Sequence, residues 1–367
     1  MKHYIGLDVS LKTTAICIMA ENGKITHEMA TDTEPQAIAF AIFETELEIE
    51  AVGIEAGGTS RWLVKELQEL NLPAFCIDSR RMAAAIAINT NKTDRNDARE
   101  IANALRANYF KEVHQKSDES AGTSTFLNIR RNLVNQRTST VNCIRGSLRG
   151  YGKFALGSSS SSKKFVENVK AAMQELNEET LRGIIALIST YSRLCQSIDE
   201  LDAHVEKIAK EDKVVQLLTS INGVGPLTAL TYKAVISDPS RFVRSRAVGA
   251  YVGMTPRQYS SGETEIRKGI SKAGSKELRA LLSDAAMSIM YNCKSWSRLK
   301  VFGLKIKRKH GHKKAIVALG RKLAVVMHRM WVENKPFEPG EVDKKQLEKL
   351  NKPSRKEKKT RKSLAAV

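Results

Sequence analysis

The first 31 residues constrain the fold more than any other stretch. Residues 3–9 form an apolar run ending in Asp8 and Val9, and Thr13–Ala20 form a second. Glu21-Asn22-Gly23-Lys24 follows, and Asn-Gly tolerates the positive φ of a tight hairpin, so residues 24–31 return as a third strand. Helical spacing over 35–47 leads to a strand, Ala51–Ile54, that ends at Glu55. A helix over about 60–70 and a fifth strand, Ala74–Ile77, complete this part.

Three strands in a meander, then alternating helix and strand, is the order of an RNase H-like fold, α/β in class. That order brings Asp8 and Glu55, both at strand ends, to one edge of the sheet. A second acidic pair, Asp94 and Asp97, opens a segment in which Ile101, Leu105 and Tyr109 recur at four. Acids three apart at a helix start share a face, so both can reach one metal. Hard oxygen ligands suit Mg²⁺ or Mn²⁺, and two such ions about 4 Å apart suit in-line displacement at phosphorus. Singly the acids have plainer readings: Asp94 as a helix N-cap, and Asp8 as the opening of an actin-like ATPase. Taken in order, they point to metal-dependent phosphoryl transfer.

The charge balance points the same way. Lys and Arg number 60 against 40 acids, a net +20 over 367 residues, which implies a polyanionic partner through counterion release. There is no apolar run of bilayer length and no signal peptide, so nucleic acid rather than membrane is the expected partner and the cytoplasm the expected compartment. Cys17, Cys76, Cys143, Cys195 and Cys293 lack metal spacing and read as reduced thiols.

The middle of the chain reads as helical. Arg130, Arg131, Arg137, Arg145 and Arg149 mark a helix over 123–150 with a face that is either solvated or tracks phosphates, and Ser158–Ser162 is a linker. Ile184, Tyr191, Ile198 and Val205 repeat at seven, as do Leu187, Leu194, Leu201 and Ile208, which predicts a coiled-coil arm. The 123–150 helix could be its antiparallel partner, although an arm that also joins subunits is the favoured reading. Further on, Ile221-Asn222-Gly223-Val224-Gly225-Pro226 gives a helix-hairpin-helix, whose glycines Gly223 and Gly225 expose backbone N–H groups to phosphate. Arg257 on one side and Arg267, Lys268 and Lys272 on the other bracket Ser260-Ser261-Gly262, by composition a turn. Apolar and basic helices follow, with His310 and His312 facing solvent or phosphate. The Lys- and Arg-rich tail from Lys352 is expected to order only on nucleic acid.

Asp8, Ile54-Glu55-Ala56, Lys92-Thr93-Asp94 with Asp97-Ala98, the Ile221–Gly225 hairpin and Pro256-Arg257 through Ser261-Gly262 resemble the transposases of the one-ten family of insertion sequences, DEDD recombinases related to the pilin-gene invertase. The resemblance runs from about residue 3 to about 335. It implies a RuvC-like domain over 1–112, a helical linker and coiled-coil arm over 113–212, a mostly helical transposase domain over 213–340 and a basic tail over 341–367. It implies a metal-binding tetrad of Asp8, Glu55, Asp94 and Asp97, and a serine that attacks DNA to form a phosphoserine link. That serine falls on Ser261, with Ser260 beside it. It also implies a structured guide RNA from the element's own end, which pairs with donor and target double-stranded DNA, and assembly as a dimer or tetramer near the nucleoid. Gly57-Gly58 departs from the more usual Thr-Gly after the glutamate. Two other readings make different predictions. A Holliday-junction-type nuclease would leave free ends without an adduct, and a non-catalytic scaffold would need no metal.

Overall fold

The computed structural model describes residues 1–80, 82, 93–155, 162–174, 176–261 and 264–342, with the side chains of 162 and 259–268 outside that description. The serine linker up to residue 161 and the basic tail from 343 therefore lie outside the described residues. The chain forms two compact units, Met1–Gln115 and Lys116–Val367.

The first unit is built on a five-stranded sheet in the order β3-β2-β1-β4-β5. Strands β1 (His3–Val9), β2 (Thr13–Ala20) and β3 (Ile25–Asp32) form the antiparallel meander, and β4 (Ile49–Glu55) and β5 (Ala74–Ile77) add in parallel. Gly23 turns the first hairpin at φ 87, a conformation that favours glycine. Odd residues of β1 (Ile5, Leu7) and even residues of β4 (Val52, Ile54) pack with helices α1 (Pro35–Phe43) and α2 (Ser60–Glu69). α1 stops short of residue 47, where Glu46 takes a left-handed φ of 51. The opposite face of the sheet receives helix α3 (Asp94–Arg106) through Cys17, Ala98, Ala102, Ile101 and Leu105. Tyr109 does not extend that row. It follows Asn108, at φ 50, and is 67% exposed.

The second unit begins with two long helices, α4 (Asp118–Arg149) and α6 (Glu178–Glu211), with α5 (Ser162–Ala172) between them in sequence. Ser117 and Asn177 cap α4 and α6 by accepting hydrogen bonds from backbone amides. Arg130 of α4 pairs with Asp202 of α6. Val141, Ile144 and Leu148 of α4 pack with Ile184 and Tyr191, near the start of α6, so the two helices run antiparallel. The row Ile184, Tyr191, Ile198 and Val205 is buried, while Leu187, Leu194, Leu201 and Ile208 are half-buried. The heptad row is thus covered within this chain by α4. Arg130 belongs to that packing rather than to an open phosphate track, and Arg145 stacks over Phe165.

A larger helical core follows, from α7 (Lys213–Thr219), α8 (Pro226–Ile236), α9 (Arg246–Tyr251), α10 (Lys276–Met287), a π-helical turn at Ser288–Asn292, α11 (Arg298–His310) and α12 (His312–Glu333). Buried Tyr232 donates to the Ala324 carbonyl at 2.7 Å, tying α8 to α12. Strands β6 (Pro256–Ser261) and β7 (Thr264–Ile270) form an antiparallel hairpin.

Candidate active site

Asp8 and Glu55 are placed by strand register. β1 and β4 run parallel with Leu7 opposite Ile54, so the two acids stand one step further on, at the ends of neighbouring strands. Adjacent strands lie about 4.8 Å apart, and side chains alternate between faces. Asp8 therefore shares the face of Gly6, and Glu55 the face of Gly53.

That face is the one covered by α3. A Cβ at Gly6 would stand 2.5 Å from the Ala102 amide nitrogen and nearer still to the Ala98 carbonyl oxygen, so only glycine allows this approach. The far end of α3 lies by the β2–β3 turn, where a Cβ on Gly23 would meet Arg106 at 3.5 Å. The helix therefore runs opposite to β1, and its first turn, with Asp94 and Asp97, points towards the strand ends carrying Asp8 and Glu55. Thr93 fixes that start by accepting from the Asn96 amide at 3.2 Å. The structure thus brings the four acids to one edge of one unit.

Asp97 is the buried member, 7% exposed, and its Oδ1 has no hydrogen-bond partner among the described residues. A buried carboxylate oxygen left unpaired is costly, and a cation beside it would remove that cost. Among the described residues no group of three or more acids, histidines or cysteines stands close enough together to hold a metal ion. The donor set nevertheless fits a hard divalent ion, since it is all oxygen and its buried member is unsatisfied. After Glu55, Gly57 and Gly58 have no positive φ, and an alanine Cβ would meet little at either. The loop is instead held by Ser60, whose hydroxyl donates to the Gly57 carbonyl at 2.9 Å.

Glu28 was not singled out from the sequence. It accepts from Arg95 and Arg99 on α3 and so ties the acid-bearing helix to β3. Hydrogen bonds from Arg99 and then Arg95 pull its carboxyl down to about 2. Arginines at the first and fifth positions after Asp94 were a visible signal for an acidic partner on the sheet.

The second unit holds the remaining candidates. Gly223 takes φ 99, and a Cβ there would lie 2.8 Å from Ile289 on the π-helical turn, so the hairpin requires this glycine. Gly225 precedes α8 at φ −87 with open space beside it, which leaves the backbone approachable. Ser260 and Ser261 end strand β6 rather than sitting in the turn itself. Gly262 and the side chains of Ser260, Ser261, Arg267 and Lys268 lie outside the described residues. Arg257 donates to the Ser271 carbonyl at 3.3 Å at the base of the hairpin, and exposed Lys272 follows in sequence. His312 is not simply solvated: its Nδ1 lies 2.7 Å from the Tyr291 hydroxyl.

Residues 215–301 match the family described as Transposase IS116/IS110/IS902, and residues 5–153 match the DEDD transposases of IS110. The chain carries the transposase domains of the IS110/IS116 family of insertion sequences. It is 29% identical over 342 residues to the transposase for insertion sequence element IS1111A of Coxiella burnetii, covering 92% of this chain and 91% of that one. It is 29% identical over 251 residues to a probable family 20 transposase of Pseudomonas aeruginosa, covering 66% of this chain and 72% of the relative. It is 24% identical over 366 residues to the pilin gene-inverting protein of Moraxella bovis, covering 92% and 98%. The 5–153 match covers most of the first unit and runs into the second, and the 215–301 match lies wholly in the second; the acids lie in the first unit and the hairpins in the second. No helix among the described residues is long and apolar enough to cross a membrane.

Proposed function

We propose that this transposase cuts and rejoins DNA with Asp8, Glu55, Asp94 and Asp97 as ligands for Mg²⁺ or Mn²⁺ and with Ser261 as nucleophile. The observation that carries the reading is the convergence of two strand-end acids with the first turn of α3, where Asp97 Oδ1 is buried and unpartnered. Held by Asp8, Glu55, Asp94 and Asp97, such ions would supply Lewis-acid stabilisation of charge on the phosphate oxygens. The Ser261 hydroxyl attacks a DNA phosphorus, the serine proton passes to solvent or a carboxylate, and the 3′ oxygen leaves, so a phosphoserine bond replaces the phosphodiester. Arg257, Arg267, Lys268 and Lys272 offset the developing negative charge. Gly223 and Gly225 present backbone N–H groups to phosphates.

In the same reading the first unit is RuvC-like, the long helices form a coiled-coil arm closed within the chain, subunits associate as a dimer or tetramer through other surfaces, and the protein works in the cytoplasm at the nucleoid. A structured guide RNA encoded by the element pairs with donor and target double-stranded DNA, while the protein reads RNA shape.

The test is adduct trapping on element-end DNA with the guide RNA present. Wild-type protein should give a denaturant-resistant protein–DNA adduct that is lost in Ser261→Ala and kept in Ser260→Ala. Asp97→Asn should abolish cutting while the protein stays folded. Free cut ends without any adduct would establish the hydrolytic, resolvase-type reaction instead.

A further inference from the structure

The second unit contains a cavity of about 250 Å³ that the cutting chemistry does not use. It lies between α4, α8 and the start of α10. Leu127, Val235 and Tyr251 form apolar and aromatic walls, while Asn128, Glu277 and Lys116 supply polar groups. The volume is just below the roughly 300–1,000 Å³ of cofactor-sized sites and suits a single ring system.

Two of the polar groups are available to a ligand, Glu277 half-buried and Asn128 exposed at the rim. Glu277 makes no hydrogen bond or ion pair among the described residues, and neither does the Asn128 amide. Burial raises the Glu277 carboxyl pKa, against the pull of Arg131 and Arg130. Lys116, by contrast, donates to the Ser124 hydroxyl at 2.8 Å. The Tyr251 ring is held from outside the cavity, with Arg241 at 4.3 Å from its centroid and its hydroxyl on the Val235 carbonyl.

This set selects among ligands. A metal ion would find only one carboxylate. A free phosphate would meet Lys116, already engaged with the Ser124 hydroxyl, as its one cation in the lining and the Glu277 carboxylate as a like charge. A flat heteroaromatic ring satisfies both halves of the lining: its faces lie against the apolar and aromatic walls, and its edge meets an amide and a carboxylate. Carboxylates accept from exocyclic amino groups, and asparagine pairs in bidentate fashion with adenine. We propose that this cavity takes one unpaired nucleobase bearing an exocyclic amino group, adenine or cytosine, from a single-stranded part of the nucleic acid. The inference rests on the nucleic-acid-processing reading above. Single-stranded bases enter such pockets at the least unstacking cost.

The test is fluorescence-anisotropy titration of the full chain with labelled deoxyadenosine, deoxycytidine and thymidine homo-oligonucleotides of equal length. Wild-type protein should bind the adenosine and cytidine strands roughly tenfold tighter than the thymidine strand. In Glu277→Ala and in Asn128→Ala the ratio should fall to about one while thymidine binding is unchanged. Equal affinity for all three strands in wild type, or a ratio that survives both substitutions, overturns the inference and leaves the transposase reading intact. Absence of all single-stranded binding in wild type would overturn the inference as well, whereas absence of binding to double-stranded element-end DNA would sink the reading on which it rests.

Discussion

Replacing Gly6 with alanine tests whether the acids are positioned by the crossing of α3 over β1. The added Cβ would lie 2.5 Å from the Ala102 nitrogen and 2.9 Å from the Ile101 Cβ, whereas ordinary contact begins at 3.4 Å. The obstacles include backbone, so no side-chain rotation relieves them, and with the Ala98 carbonyl oxygen nearer still than the Ala102 nitrogen the helix must retreat by about 1 Å or more. Ala98, Ala102 and Ile101 are at most 1% exposed, so the retreat opens a close-packed layer. Overpacking typically costs about 1–3 kcal/mol, and a clash with backbone belongs at about 3. The unit should remain folded, since domains carry about 5–15 kcal/mol. The first turn of α3 moves with the helix, however, and a misplacement of about 1 Å costs roughly a hundredfold in rate. Gly58→Ala, where a Cβ meets nothing within 4 Å, is the matched control and should be silent. Urea unfolding gives the stability, hydrogen exchange of the 94–106 peptide gives the seating of α3, and strand cleavage gives the activity. If Gly6→Ala matches wild type within about 0.5 kcal/mol and protects α3 equally, the close approach does not position the acids.

Two further outcomes follow from the charges. Glu28 has a folded pKa near 2, below its ordinary value, so the stability it contributes is present above the ordinary carboxylate range and is lost as pH falls through about 2. Because Arg95 is 66% exposed, that contribution is discounted to roughly 1–2 kcal/mol at neutral pH. Glu28→Gln should therefore be less stable by that amount at pH 7, with the gap closing between about pH 4.5 and 2; parallel urea midpoints across that range would show that the clamp contributes nothing. Nucleic-acid affinity should fall steeply with salt, as a net +20 predicts, and deleting residues from Lys352 onward should flatten the slope of log affinity against log salt without removing strand cutting. A slope unchanged by that deletion would assign the basic tail another role.

Much of the acid site was legible because strand periodicity is a local property. The apolar runs over 3–9 and 51–54 placed Asp8 and Glu55 at strand ends, and the recurrence at four after Asp94 marked a helix that the structure repeats, with Thr93 rather than Asp94 as its N-cap. Glu28 was not legible, because its role depends on two arginines about 70 residues away that only the packed helix brings within reach.

The sequence by itself determined the order of the elements, the strand ends that carry acids and the faces of α3 and α6 that must be buried, since these follow from periods of two, three and a half and three point six. Tertiary structure decided what each face is buried against. The row Ile184 to Val205 requires an apolar partner but does not name one, and the chain's own α4 fills the place that another subunit could have taken. In the same way, packing set the helix that carries Asp94 and Asp97 against Gly6, a close approach that no local pattern in the sequence marked. Periodicity specifies that a surface must leave water; which surface meets it is settled by contacts between segments far apart in the chain.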